Sequence, residues 1–240
     1  MEKYILIDRR MRHIEKEILK NMGYILIEVP KSEDVYIEIS SHVDIFCSKI
    51  NDILFLEPNM YKYIVNKGIN EKNIIAGNSI LKSKYPYDIS YNVCQIGNNV
   101  IHNFKYTDPV VLDYINKTNL NKININQGYS KCSIAVIDEN SAIVSDKKIA
   151  NELKNNNIDV LCLEENLDIN LLNEDGSFSN MKGFIGGCIC RVENKVIVFG
   201  ELNNFKESEK IRKFINKKGL EIIDFKGLDI IDYGGIVDIS

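Results

Sequence analysis

Apolar and polar positions alternate along this chain in short runs that break at turn residues. "FCSKINDILFLE" turns at Asn51-Asp52, "YNVCQIGNNVIHNF" at Gly97-Asn98-Asn99, "KCSIAVIDENSAIVSD" at Asp138-Glu139-Asn140 and "GCICRVENKVIVFG" at Glu193-Asn194. Period-two runs rich in β-branched residues, flanking short loops of Asn, Gly and Asp, predict four β-hairpins. The turn residues Asn51, Asn98, Asn140 and Asn194 follow one another at intervals of 47, 42 and 54 positions. A period of that size indicates a repeat architecture.

Helical signals fill the intervals. "TDPVVLDYINKT" opens with a cap at Thr107 or Asp108 and puts Pro109 in the first turn, and "SDKKIANELKNNN" opens with Ser145 or Asp146. "PNMYKYIVNKG" and "NFKESEKIRKFINKKG" close on Gly68 and Gly219, residues suited to a helix C-terminus. After each helix comes a short apolar strand: "NIIAG", "KININQ", "DVLCLE" and "EIIDF". The repeating unit is therefore hairpin, helix, strand.

The N-terminus supplies a helix and a strand ("RRMRHIEKEILKNMG", "YILIEVP") but half a hairpin, "KYILID", and the C-terminus ends with the complementary half, "IVDIS". These halves predict an α/β fold: one domain over 1–240, a closed ring of five ββαβ modules with pseudo-five-fold symmetry, the fifth split between the termini. Closure of that kind leaves no free sheet edge. An open α/β sheet with five crossovers is the alternative, and it leaves the complementary halves unexplained.

Strand alternation then assigns faces. Counting back from the last apolar residue before each turn, odd steps give an apolar face with Cys47, Ile45, Tyr91, Ile134 and Cys132. Even steps give a polar face with Asp44 and His42, Asn92, Ser90 and Asp88, Ser133 and Lys131, and Cys188 and Gly186. In a ring the polar faces converge on the axis. Cys47, Cys132 and Cys162 are expected in the core, and Cys188 on the axial side.

Two boxes sharpen the reading. "SHVDIF" resembles the His-x-Asp box of the pentein, or guanidino-group-modifying, superfamily, and "YGGIVDIS" resembles its terminal glycine-rich box, which carries a nucleophilic cysteine. Agmatine deiminase, arginine deiminase and dimethylarginine dimethylaminohydrolase belong to that superfamily, and the chain as a whole is most similar to an uncharacterised bacterial branch of the fold. The resemblance implies an enzyme in which a thiolate attacks a guanidinium carbon, histidine moves protons and carboxylates hold the cation. The pattern departs at three points. Asp238 stands at the cysteine's place, the His-x-Asp box lies in the first complete module, and the fourth module reads "GFIGG". An inactive ring binding a metabolite or a protein is therefore the second reading, as the superfamily's ribosome anti-association factor illustrates.

The candidate catalytic residues are His42, Asp44 and Cys188, with Asp88, Asn92, Lys131 and Asp238 binding substrate. His102, Asn103 and Lys105 are candidates for the pocket rim, against a plain capping loop, and His13 is expected in solvent. Axial carboxylates outnumber the axial cation Lys131, so the ligand is expected to be a small cation with a guanidino or amine group.

Composition narrows the rest. The chain has 240 residues, 45% of them hydrophobic and 27% charged, and a net charge of -4. This fits a folded globule and gives no basic footprint for nucleic acid. No apolar run nears the roughly 20 residues that span a bilayer. Without a signal-like N-terminus, the six cysteines are expected reduced and the protein cytoplasmic. No cysteine or histidine spacing indicates a metal or cofactor.

Overall fold

A computed structural model describes residues 2–69, 72–164 and 167–239; residues 1 and 240, the ends of the expected domain, lie outside it. Strand β1 (Lys3–Asp8) is followed by α1 (His13–Asn21) and β2 (Tyr24–Val29). Four units of one plan come next. They are β3 (Cys47–Ile50), β4 (Ile53–Leu56), α3 (Pro58–Asn66) and β5 (Ile74–Ala76), preceded by a one-turn α2 (Val43–Phe46); then β6 (Cys94–Ile96), β7 (Asn99–His102), α4 (Pro109–Lys117) and β8 (Asn121–Asn124). The third is β9 (Ile134–Asp138), β10 (Ser141–Val144), α5 (Lys147–Asn155) and β11 (Asp159–Cys162). After a separate hairpin, β12 (Asn170–Leu172) and β13 (Phe178–Lys182), and a one-turn α6 (Ile185–Cys188), come β14 (Ile189–Val192), β15 (Lys195–Val198), α7 (Ser208–Lys217) and β16 (Glu221–Ile223), with β17 (Val237–Asp238) last.

In every complete unit the hairpin strands pair antiparallel and the strand after the helix adds in parallel. The fifth sheet has the same plan. Strand β1 is parallel to β2 and antiparallel to β17, with Ile5 opposite Asp238 and Leu6 opposite Val237. The two ends of the chain thus build one unit, as the complementary halves predict.

Local chemistry explains the regularity. The tight turns put Asn51, Gly97 and Glu193 at positive φ, 52°, 53° and 54°, where asparagine and glycine are well tolerated. Three helices begin on a carboxylate: Glu57, Asp108 and Asp146 each accept two backbone N–H bonds from the first turn. The choices left open between Thr107 and Asp108, and between Ser145 and Asp146, fall to the aspartates. The helix of each complete unit buries a pair four residues apart: Met60 and Ile64, Val111 and Ile115, Ile149 and Leu153, Ile211 and Ile215. At about 1.5–3 kcal/mol per fully buried aliphatic side chain, these stripes bind the helices to their sheets. No described helix is long and apolar enough to cross a membrane, and the six cysteines are unbridged.

One expectation fails at the strand entrances. Strand alternation extends the strands back over residues 42–44, 88–92, 131–133 and 186–188, but the chain there is turned rather than extended. Residues 43–46 and 185–188 each form one helical turn, and 130–133 is a turn closed by Ser133 N–H to Tyr129 O at 3.0 Å and Ile134 N–H to Lys131 O at 3.2 Å. A turn has no two-residue alternation, so face parity lapses at those positions.

Candidate functional site

The four entrance turns and residues 232–235, which lead into β17, meet, and hydrogen bonds lead from each to the next. Asn92 Nδ2 donates to Asp44 O at 2.9 Å, while its Oδ1 accepts from Lys131 N and Cys132 N at 2.7 and 3.2 Å. Gly186 N donates to Cys132 O at 2.7 Å; Tyr233 N and Gly235 N each donate to Gly187 O at 3.1 Å; Asp44 N donates to Gly234 O at 3.1 Å. The path returns to Asp44. Asn92 is thus a structural clasp between three turns, with its side-chain amide donating and accepting.

Around this closed path lie buried ionisable groups. His42 and Asp44 are each 1% exposed, Asp232 2%, and Asp8, at the end of β1, is fully buried. The His42 ring sits between two carboxylates: Nε2 is 3.9 Å from Asp8 Oδ2 and Nδ1 is 3.7 Å from Asp232 Oδ1. Neither ring nitrogen has a hydrogen-bond partner, and neither does either oxygen of Asp44. Asp232 is held by Phe184 N at 2.8 Å and Gly234 N at 2.7 Å. Gly234 has φ +67°, and a Cβ there would strike the His42 side chain and stand 2.8 Å from Asp44 Oδ1. Only glycine lets the last turn pass between the histidine and the aspartate.

Burial sets the protonation states. It raises Asp44 to about 6, against the opposing influence of Cys132, Lys131 and Asn92. It also raises Asp232, with His42 opposing and Asp44 reinforcing. Desolvation lowers His42 despite Asp232 and Asp8, so the imidazole is neutral at neutral pH. Asp8 goes the other way: desolvation would raise it, but Arg10 and His42 hold it below the ordinary carboxylate value. Burial would lower Lys131, but it is raised overall by attraction to the groups around it, of which Asp44 is the one ionised near neutral pH.

The predicted residues divide. His42, Asp44, Asn92 and Lys131 come together. Asp88 is buried in the fold's second unit; its Oδ2 accepts from Tyr129 OH at 2.5 Å and its Oδ1 has no hydrogen-bond partner. Cys188 does not join His42: its thiol donates to Ile185 O at 3.4 Å within an apolar cluster of Ile185, Ile189 and Leu202. The one-turn helix rotates it into the core, contrary to the axial position read from alternation. Cys132 is buried in the core as expected, and it also borders the site, with Asn92 Nδ2 3.1 Å from its sulfur. Asp238 is exposed on β17, its carbonyl accepting from Lys49 Nζ at 2.8 Å, at the turn end of the hairpins and away from His42. It lines a cavity of about 590 Å³ with Lys49, Glu139, Arg191 and Glu193. His102 is no rim residue. It is fully buried, Nδ1 lies 2.6 Å from Thr107 Oγ1, and burial lowers it to about 4. Asn103 is half-buried, Lys105 is exposed, and His13 is in solvent as expected.

Burial raises all six thiols, Cys94 to about 12 and Cys190 to about 11. A cysteine nucleophile needs the opposite shift. Asp8, Arg10 and Asp232 were missed. Asp232 lies two residues before the glycines of the terminal box, whereas the resemblance directs attention to the residues after them.

A family model described as "Family of unknown function (DUF6873)" matches residues 6–237. No curated protein matches the chain. Among solved structures, the chain is similar to dimethylarginine dimethylaminohydrolase from Pseudomonas aeruginosa complexed with citrulline, at TM-score 0.56 and 10% identity over 95% of this chain and 92% of that one. Agmatine deiminase from C. jejuni gives 0.52 and 13%, over 93% and 87%. Inosamine-phosphate amidinotransferase from Streptomyces griseus gives 0.55 and 9%, over 95% and 78%. At such identities the likeness is one of fold: the chain shares the architecture of the guanidino-modifying enzymes.

Proposed function

Since the chain belongs to DUF6873, a family of unknown function, we propose its activity from the site itself: a cytoplasmic protein of one domain, closed as a pseudo-five-fold ring, that binds a small guanidinium or amine cation on the axis and hydrolyses its guanidino, amidine or amide carbon. The observation that carries this reading is that His42 and Asp44, both buried on the first entrance turn with Gly234 between them, leave four polar atoms without a close hydrogen bond. Unsatisfied buried polar groups are destabilising, and they persist where a ligand completes them. Asp44 is the group for the cation: a carboxylate with both oxygens unpartnered pairs well with planar N–H donors. The superfamily members similar in fold include proteins complexed with citrulline and with agmatine deiminase substrate, which accords with such a ligand.

His42, neutral at neutral pH, is the base. It takes a proton from water as the water oxygen bonds to the amidine or amide carbon. The C–N bond then breaks, and the proton passes from His42 to the departing nitrogen, which leaves as ammonia or an amine. Water replaces the thiolate of the related enzymes because no thiol here is activated and Cys188 packs in the core. The raised thiols also favour a second reading, a ring that binds the cation without chemistry.

Thermal shift and ammonia-release assays with agmatine, arginine, methylarginines and simple amines test both. Stabilisation that grows with ligand concentration, lost in Asp44→Asn, supports the site. Ammonia release lost in His42→Gln supports the hydrolase, and binding without release supports the inert ring. Stabilisation by anions alone would reject the cation site, with Lys131 then the dominant group.

A further inference from the structure

Arg10 places a guanidinium of the protein's own beside the site, and every N–H it has is used. Nε and Nη2 bind Asp8 Oδ1 and Oδ2 at 3.1 and 2.7 Å. Nη1 donates to Ile37 O at 3.1 Å and Leu172 O at 2.8 Å, and Nη2 donates again to Glu38 O at 2.8 Å. The pair is buried, with side chains 6% and 0% exposed. A bidentate guanidinium–carboxylate contact of this kind is strong and fixed in direction. Ser41 Oγ and Arg10 N add bonds to Asp8 Oδ1 at 2.9 and 2.7 Å. Asp8 is thus anchored and anionic on one side of His42. On the other side stands Asp232, which burial drives toward its protonated form and whose oxygens receive Phe184 N and Gly234 N.

The asymmetry decides where the imidazole proton sits. A ring N–H is attracted to the anionic carboxylate, and the unprotonated nitrogen then faces the other side. We propose that Arg10 and Asp8 form a positioning pair that holds His42 as the Nε2–H tautomer, directed at Asp8, and leaves Nδ1 as the basic nitrogen on the Asp232 side. This rests on the reading of His42 as the base. It also fixes the ligand's place. Asp8 Oδ1 is filled by Arg10 and Ser41, and Oδ2 is shared between the Arg10 fork and the side facing His42, so the cation falls to Asp44.

The groups acting on His42 are Asp232 before β17, through both its carboxyl and its backbone, and Asp8 and Arg10 from β1 and the residues after it; Asp44 acts on Asp232. Long-range ¹H–¹⁵N NMR reads tautomer and titration directly, and with three histidines in the chain the signals are assigned with His13→Gln and His102→Gln. In the wild-type protein His42 is expected as Nε2–H, becoming cationic only below the ordinary 6.5. In Arg10→Met, Asp8 loses its guanidinium and turns to His42, so the titration should move up by about one pH unit or more. Arg10→Lys restores charge without the fork and should recover part of the shift.

An Nδ1–H tautomer in the wild type, or a titration unchanged in folded Arg10→Met, overturns the proposal. A stability loss without a titration change means a structural role only and also overturns it. If Arg10→Met does not fold, Ser41→Ala, which removes one bond to Asp8, is expected to show a smaller upward shift, and the wild-type tautomer stands as a test by itself. These readouts need no ligand, so failure to bind or turn over a cation would reject the proposed function while leaving the positioning pair to its own test.

Discussion

Replacing Asp44 with asparagine should stabilise the protein without ligand, and only at the higher pH values. The carboxyl is raised from 3.8 in the unfolded chain to about 6 in the fold, chiefly by burial. The folded state therefore holds the proton more tightly, and stability falls as pH rises from about 4 through about 6, then levels off. With about 1.4 kcal/mol per pH unit, the burden above pH 6 is on the order of 3 kcal/mol. Asparagine keeps the shape and removes the charge. At pH 8 the variant should melt higher, by roughly 2–4 °C for each kcal/mol relieved in a chain of this size, and at pH 4.5 the difference should largely vanish. Differential scanning calorimetry on both proteins across pH 4.5–8 measures it. A variant equal to or less stable than wild type at pH 8, or a difference independent of pH, would refute the view that an unpartnered buried carboxylate strains this site. Stability gained by removing a functional group is the usual trade at binding sites.

Gly234→Ala should destabilise by about 1–3 kcal/mol, because φ is +67° and the added Cβ meets His42 and Asp44; urea unfolding checks it, and an unchanged midpoint would contradict the packing. Deleting residues 235–240 removes β17 and opens the sheet shared by the termini. The melting temperature should fall sharply, and a truncated chain as stable as the whole would contradict closure. In alkylation followed by mass spectrometry, half-buried Cys162 should react first and Cys188 among the last. Early labelling of Cys188 would return it to the site.

What the sequence makes legible follows from how local each signal is. Hairpins and helices are announced within a dozen residues by alternation, turn residues and caps such as Asp108-Pro109, and those elements stand where they were read. The union of the termini is legible because each half lacks what the other has. The entrance turns are not. "SHVDIF" and "FIGGC" look like continuations of the strands that follow, and their curvature comes from contacts such as Asp44 N–H to Gly234 O and Gly186 N–H to Cys132 O, which join residues far apart in the chain. That is why His42, Asp44, Asn92 and Lys131 are found by alternation while Cys188, read as axial, lies in the core. Asp8 and Arg10 were hidden for a related reason: "IDRR" reads as the charged end of a strand, and nothing local says that Arg10 folds back on Asp8 under the carbonyls of Ile37, Glu38 and Leu172.

The most direct test of the central claim is isothermal titration calorimetry of the purified protein with agmatine and arginine, repeated on Asp44→Asn. The account predicts saturable binding of one cation per chain, weakened tenfold or more in the variant, as loss of a charge-assisted contact worth about 1.5–3 kcal/mol requires. Affinity unchanged in Asp44→Asn, or no binding by any guanidino or amine cation, would contradict it.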